Sequence, residues 1–74
     1  MLRVMLECKN VRSEKVAKYL SKLTDGFRIW MHDSSVYALF DVESLIELNE
    51  LSKLLKRIRN IDFRFIKIWS VFNG

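Results

Sequence analysis

The spacing of apolar residues in this chain switches between strand period and helix period four times in 74 residues, and few folds accommodate that order. Leu2, Val4, Leu6 and Cys8 alternate with Arg3, Met5, Glu7 and Lys9, the two-residue period of a strand with one buried face. Val16, Ala17, Leu20 and Leu23 then recur at helical spacing, with Lys15, Lys18 and Lys22 along the opposite side. Ser13 is placed to cap this helix and Gly26 stands where it would stop. Phe27 to His32 and Val36 to Val42 read as two strands of a hairpin around Asp33 to Ser35, a turn without an Asn-Gly signal. Ser44 and Glu47 have capping-box spacing, and Leu48, Leu51, Leu55 and Ile58 follow one helical face behind them. Ile61 to Phe72, rich in β-branched and aromatic residues, predicts the last strand.

Strand, helix, strand, strand, helix, strand is the order of the split βαβ, or ferredoxin-like, plan, an α+β fold. Right-handed crossovers predict a four-stranded antiparallel sheet of order 4-1-3-2 with both helices on one face. Residues 1–74 then make one domain, near the size at which a single core supplies only a few kcal/mol. Half the residues are apolar, and no Pro, Gly or Ser run interrupts them, so no linker is expected. No stretch approaches the roughly 20 apolar residues that span a bilayer. Met1 to Lys9 alternate and contain Arg3 and Glu7, so no signal peptide is expected there. The single cysteine, Cys8, excludes an internal disulfide and fits a cytoplasmic, reducing setting.

Charge is distributed unevenly. The net charge is +4, yet Asp41 to Glu50 carries four acids and no base, while Lys53 to Lys67 carries six bases and the single acid Asp62. The second helix therefore begins acidic and ends basic. Its macrodipole accounts for the order of signs, but does not demand so many bases at the end. In the ferredoxin-like plan Lys53, Lys56, Arg57, Arg59 and Arg64 meet Lys9, Arg12 and Lys15 at one end of the molecule, with Glu14, Asp33 and Asp62 as the nearby acids. Such a pole attracts nucleic acid, RNA above all, or another anionic surface such as an acidic protein. Asp25, Asp41, Glu43 and Glu47 fall at the opposite end.

Alternation also assigns sheet faces. The helix side is expected to receive Leu2, Val4, Leu6, Phe27, Ile29, Met31, Val36, Ala38, Phe40, Ile66, Ile68 and Phe72. The open side shows Arg3, Met5, Glu7, Arg28, Trp30, His32, Tyr37, Leu39, Phe65, Lys67 and Trp69, with Glu7 able to pair with Lys67. Met5, Trp30, Tyr37, Leu39, Phe65 and Trp69 form too much apolar surface for an isolated monomer. A protein partner, often a second copy about a two-fold axis, is one occupant. Single-stranded bases stacking on the rings, with Arg3, Arg28 and Lys67 meeting phosphates, are another.

No catalytic residue, metal site or cofactor is expected. Cys8 should face the core and His32 the open side of a strand not adjacent to the first, so the two do not form a nucleophile pair. One Cys and one His make no zinc set, and the only glycines, Gly26 and Gly74, make no phosphate loop.

Two family likenesses complete the reading. Tyr37-Ala38-Leu39-Phe40-Asp41-Val42 resembles the aromatic third-strand motif of RNA-recognition motifs, which implies base stacking at Tyr37, although Val36 stands for the usual glycine and Leu39 for the second ring. Val16-Ala17 through Leu23, Asp25-Gly26-Phe27 and Ile58-Arg59-Asn60-Ile61 are spaced as in stand-alone RAM domains of the Lrp/AsnC type. That likeness implies a face-to-face dimer and a small-metabolite, amino-acid ligand, but Asp33, Ser34 and Ser35 replace the small-residue and glycine signals of those domains. The sequence thus predicts a non-enzymatic, RNA-associated binding module with a basic pole and a protein-covered sheet, a homodimer or a subunit of a larger assembly. The alternative is a RAM-like or ACT-like regulatory dimer.

Overall fold

The structure is a computed structural model that describes residues 1–71; Phe72 of the expected final strand lies outside them. The chain runs β1 (Leu2–Lys9), α1 (Ser13–Leu20), β2 (Phe27–His32), β3 (Ser35–Val42), α2 (Leu45–Leu55) and β4 (Asp62–Ser70). The four strands form one antiparallel sheet. Counted from the β2 edge, its order is β2-β3-β1-β4, with β1 and β3 at the centre, an arrangement compatible with the split βαβ plan.

The two-residue period of β1 and β3 sorts their side chains. Val4, Leu6 and Cys8 lie opposite Phe40, Ala38 and Val36, and all six are buried against Val16 and Leu20 of α1 and Leu48, Leu51 and Leu55 of α2. Both helices therefore cover the same face of the sheet. A buried leucine or valine contributes about 1.5–3 kcal/mol, so this single layer is the main source of stability. It leaves room at its margins. Met31, expected on the helix side, is 60% exposed near the β2–β3 turn, and Ile68 is 42% exposed on edge strand β4.

The last strand departs from simple alternation. Val4 faces Ile68 and Met5 faces Lys67, but Leu6 faces Phe65 and Cys8 faces Phe63. One extra residue, Ile66, is thus accommodated between Phe65 and Lys67, a β-bulge opposite Met5. The bulge places Phe65 beside Leu6 on the helix side, where it packs with Phe63 on the core, their rings edge to face with centroids 6.1 Å apart. Phe65 is therefore no part of the open face, contrary to strict alternation, and Ile66 is an exposed bulge residue rather than a core residue.

Local signals were realised with small changes. The hairpin closes on two residues, Asp33 (φ 50°) and Ser34 (φ 66°), the pair of left-handed conformations that a type I′ turn requires, achieved without glycine. Arg12, not Ser13, occupies the position before α1, and its carbonyl accepts from the Lys15 N–H at 3.1 Å. α1 ends at Leu20, and the chain turns through Leu23 by short-range bonds such as Leu23 N–H to the Leu20 carbonyl, 3.0 Å. Ser44 precedes α2, but its hydroxyl makes no capping bond, and the Glu47 carboxylate accepts from the Glu43 N–H at 3.2 Å.

A candidate nucleic-acid interface

Strand direction determines which loops share an end. β1 delivers Lys9 to the same end as the start of α1, the β2–β3 turn, the end of α2 and the start of β4. Lys9 closes β1; Arg12 and Lys15 stand at the head of α1; Lys53 lies in the last turn of α2; Lys56, Arg57 and Arg59 follow it; Arg64 is the third residue of β4. All eight are exposed. Apart from Arg64, none of them has a carboxylate within 4.0 Å among the described residues.

A pair of asparagines joins the two loops that carry these cations. Asn10 and Asn60 both adopt φ 63°, a conformation that asparagine tolerates better than other side chains with a Cβ. The Asn10 Nδ2 amide donates to the Asn60 carbonyl at 3.2 Å. This bond ties the β1–α1 loop to the α2–β4 loop across 50 residues of sequence. Neither asparagine is among the expected site residues; the signal each carries is its place just outside a strand end, where a left-handed residue is commonly needed.

The open face of the sheet is built in rows across the strands. Arg28, Leu39, Met5 and Lys67 align in the middle row, and Trp30, Tyr37, Glu7 and Arg64 in the row nearer the basic end. Asp41, Arg3 and Trp69 align on the other side. Trp30 and Tyr37 stack, centroids 5.8 Å apart and planes 16° from parallel. Lys67 Nζ sits 4.9 Å from the Trp69 ring centroid, a cation–π contact.

The two acids within these rows are engaged by their neighbours. The Tyr37 hydroxyl donates to Glu7 Oε2 and Arg64 Nε donates to Glu7 Oε1, each at 2.9 Å. Glu7 therefore pairs with Arg64, which lies directly opposite, and not with Lys67. The Tyr37 bond first, and then Arg64, hold the Glu7 carboxyl below its ordinary range, against a partial opposing effect of burial. Tyr37 is correspondingly raised, chiefly by the same hydrogen bond. Arg3 grips Asp41 with Nε and a terminal nitrogen at 2.8 and 3.2 Å, and this lowers the Asp41 pKa. Bidentate charge-assisted pairing of this kind fixes both side chains.

A hollow of about 280 Å³, lined by Glu7, Lys9, Asp62, Phe63 and Arg64, lies where the basic end meets the open face. Lys9 and Arg64 thus belong to both surfaces. A second hollow, about 470 Å³, is lined by Arg3, Gly26, Phe27, Arg28, Leu39, Phe40 and Asp41. Cys8 lies in the core, where burial pushes its thiol up to about 12. His32 lies at the exposed hairpin, with Nε2 3.1 Å from Asp33. No group of three or more metal-ligating side chains converges among the described residues, and none of their helices is long and apolar enough to cross a membrane.

No protein-family model, curated protein or solved structure matches the chain.

Proposed function

We propose that this chain is a cytoplasmic, non-enzymatic binding module of ferredoxin-like βαββαβ architecture that associates with nucleic acid, RNA in particular, through its basic end. The observation that carries this reading is the set of seven exposed cations, Lys9, Arg12, Lys15, Lys53, Lys56, Arg57 and Arg59, with no carboxylate within 4.0 Å among the described residues. Helix-dipole compensation would need only the bases in the last turn of α2. It does not account for Lys9 and Arg12, which the direction of β1 brings to the same end. Phosphate contacts release counterions, so affinity falls with salt by a logarithmic slope of roughly 0.7 per contact for single strands and 0.9 for duplex DNA.

The test is affinity for mixed-sequence RNA and DNA at two salt concentrations. Binding that weakens steeply with salt is expected. R57E/R59E is expected to lower both affinity and slope, the slope by about 0.7 for each single-strand phosphate that is no longer neutralised. Absence of binding at low salt would sink the reading. If R57E/R59E instead abolished association with an acidic protein while nucleic-acid affinity stayed constant, the pole would be a protein-docking site.

A second reading is a dimer that binds a small metabolite, with the open hollow beside Arg28 and the Arg3–Asp41 pair as its candidate site. It requires a dimer in solution and a melting temperature that rises with an amino-acid ligand. A monomer whose melting is unmoved by such ligands removes it.

A further inference from the structure

Building on the nucleic-acid reading, the open sheet face raises a separate question: whether its occupant is a protein or the same nucleic acid. We infer that it is a single-stranded segment, whose bases stack from Trp30 outward and whose phosphates meet Arg28 and Lys67. Charge and ring geometry select this occupant.

Arg28 and Lys67 stand at opposite edges of one row, roughly 14 Å apart for three strand spacings. Neither has a carboxylate within 4.0 Å among the described residues. The acids of the adjoining rows, Glu7 and Asp41, are already bound by Tyr37 and Arg64 and by Arg3. A second copy of this surface would therefore bring two free cations against a face with no free acid in those rows to receive them, and unmatched like charge disfavours association. A phosphate chain meets the same cations without that conflict.

Tyr37 is half-buried and held through its hydroxyl, whereas its stacking partner Trp30 is 40% exposed on edge strand β2. The pair is a started stack with an available outer member, and bases of any sequence extend such stacks. Glu7 would repel a passing phosphate if it were bare, but Arg64 and Tyr37 cover both its oxygens. Arg64 and Lys9 line the hollow that joins this face to the basic end, with Asp62 the one acid there outside any ion pair among the described residues. Duplex, whose bases are already stacked on one another, can use the end but not the rings.

The experiment uses the whole chain with a mixed-sequence single-stranded RNA of about 12 nucleotides, inside the roughly 4–16 nucleotide range of single-strand sites, and a duplex of equal length. Single strand should bind more tightly than duplex and quench tryptophan emission, since both tryptophans lie on this face. W30A should weaken single-strand binding about 5- to 100-fold, corresponding to the loss of one stacked base, and leave duplex binding unchanged. W30F, which retains a ring, should restore most of that loss, and R28E/K67E should weaken single-strand binding in a fold that still melts cooperatively. Equal affinity for both forms, or an unaltered W30A, overturns the inference while the basic-end reading stands. Binding of neither form overturns both. A dimer whose dissociation changes tryptophan emission identifies the face as a self-interface and also overturns it.

Discussion

The two faces of the sheet are made by the same strands and, residue by residue, alternate along them, yet they behave as different materials. On the helix side, β1 and β3 contribute Val4, Leu6, Cys8, Val36, Ala38, Phe40 and Val42, all at most 2% exposed. On the open side the same strands contribute Arg3, Met5, Glu7, Tyr37, Leu39 and Asp41, none of them fully buried. The first face is held by exclusion of water and is non-directional. The second is held by directed bonds: Arg3 to Asp41, Tyr37 and Arg64 to Glu7, and Lys67 over Trp69. Burial makes a face stable, whereas a surface of fixed polar networks and half-exposed rings can bind without reorganising.

Substitution at adjacent positions should divide the faces most sharply. Leu6→Ala opens a cavity in the core and is expected to cost about 2–5 kcal/mol, enough to unfold much of a domain this small, while Met5→Ala, one residue away, should cost about 1 kcal/mol or less. Denaturant melts of the two variants measure this; equal losses would break the distinction between the faces.

Deletion of Ile66 probes the boundary between them. With the extra residue removed, Lys67 and Phe65 can remain opposite Met5 and Leu6 in an unbroken ladder, so the variant should fold with Trp69 emission little changed. A collapse of the melting transition would show that the bulge residue is itself required for packing.

The smallest effect concerns pH. Glu7 and Asp41 have lowered folded-state pKa values, mainly through Tyr37 and Arg3 respectively. Their contribution is therefore fully present above the unfolded carboxyl values of about 4, and is lost as pH falls through the lower folded values. E7Q should flatten the acid limb of stability against pH, measured by thermal melts from neutrality downward. The arginine partners are solvent-exposed, Arg64 at 69% and Arg3 at 39%, so screening should keep the change modest; an unaltered acid limb would mean that the Glu7 network contributes nothing.

Legibility differed in the same way between regions. The faces of β1 and β3 could be read because each has one wholly apolar phase and the two strands pair with each other without interruption, so a strict period of two assigns every side chain. In β4 the run Phe63 to Trp69 has apolar residues on both phases, so hydrophobicity could not choose the register, and the bulge that chose it arises only when the strand meets β1. Strict alternation therefore puts Phe65 on the open face, whereas the bulge puts it beside Leu6. The basic cluster was visible as composition, but the bond that holds its two loops together joins Asn10 to Asn60, residues with no periodic or charge signal.

The sequence alone determined the succession of elements and the central core, because spacing of apolar residues is a local property and burial of those residues dominates the free energy. It also carried the charge asymmetry of α2, since helix termini act within one turn. Tertiary structure decided what those features face. Pairing with β1 placed the bulge and moved Phe65 inward, strand register gave Glu7 to Arg64 rather than Lys67, and the Asn10 amide tied two distant loops together through the Asn60 carbonyl. Each of these depends on which groups from remote segments come within about 3 Å, the reach of a hydrogen bond, and no local pattern along the chain encodes that.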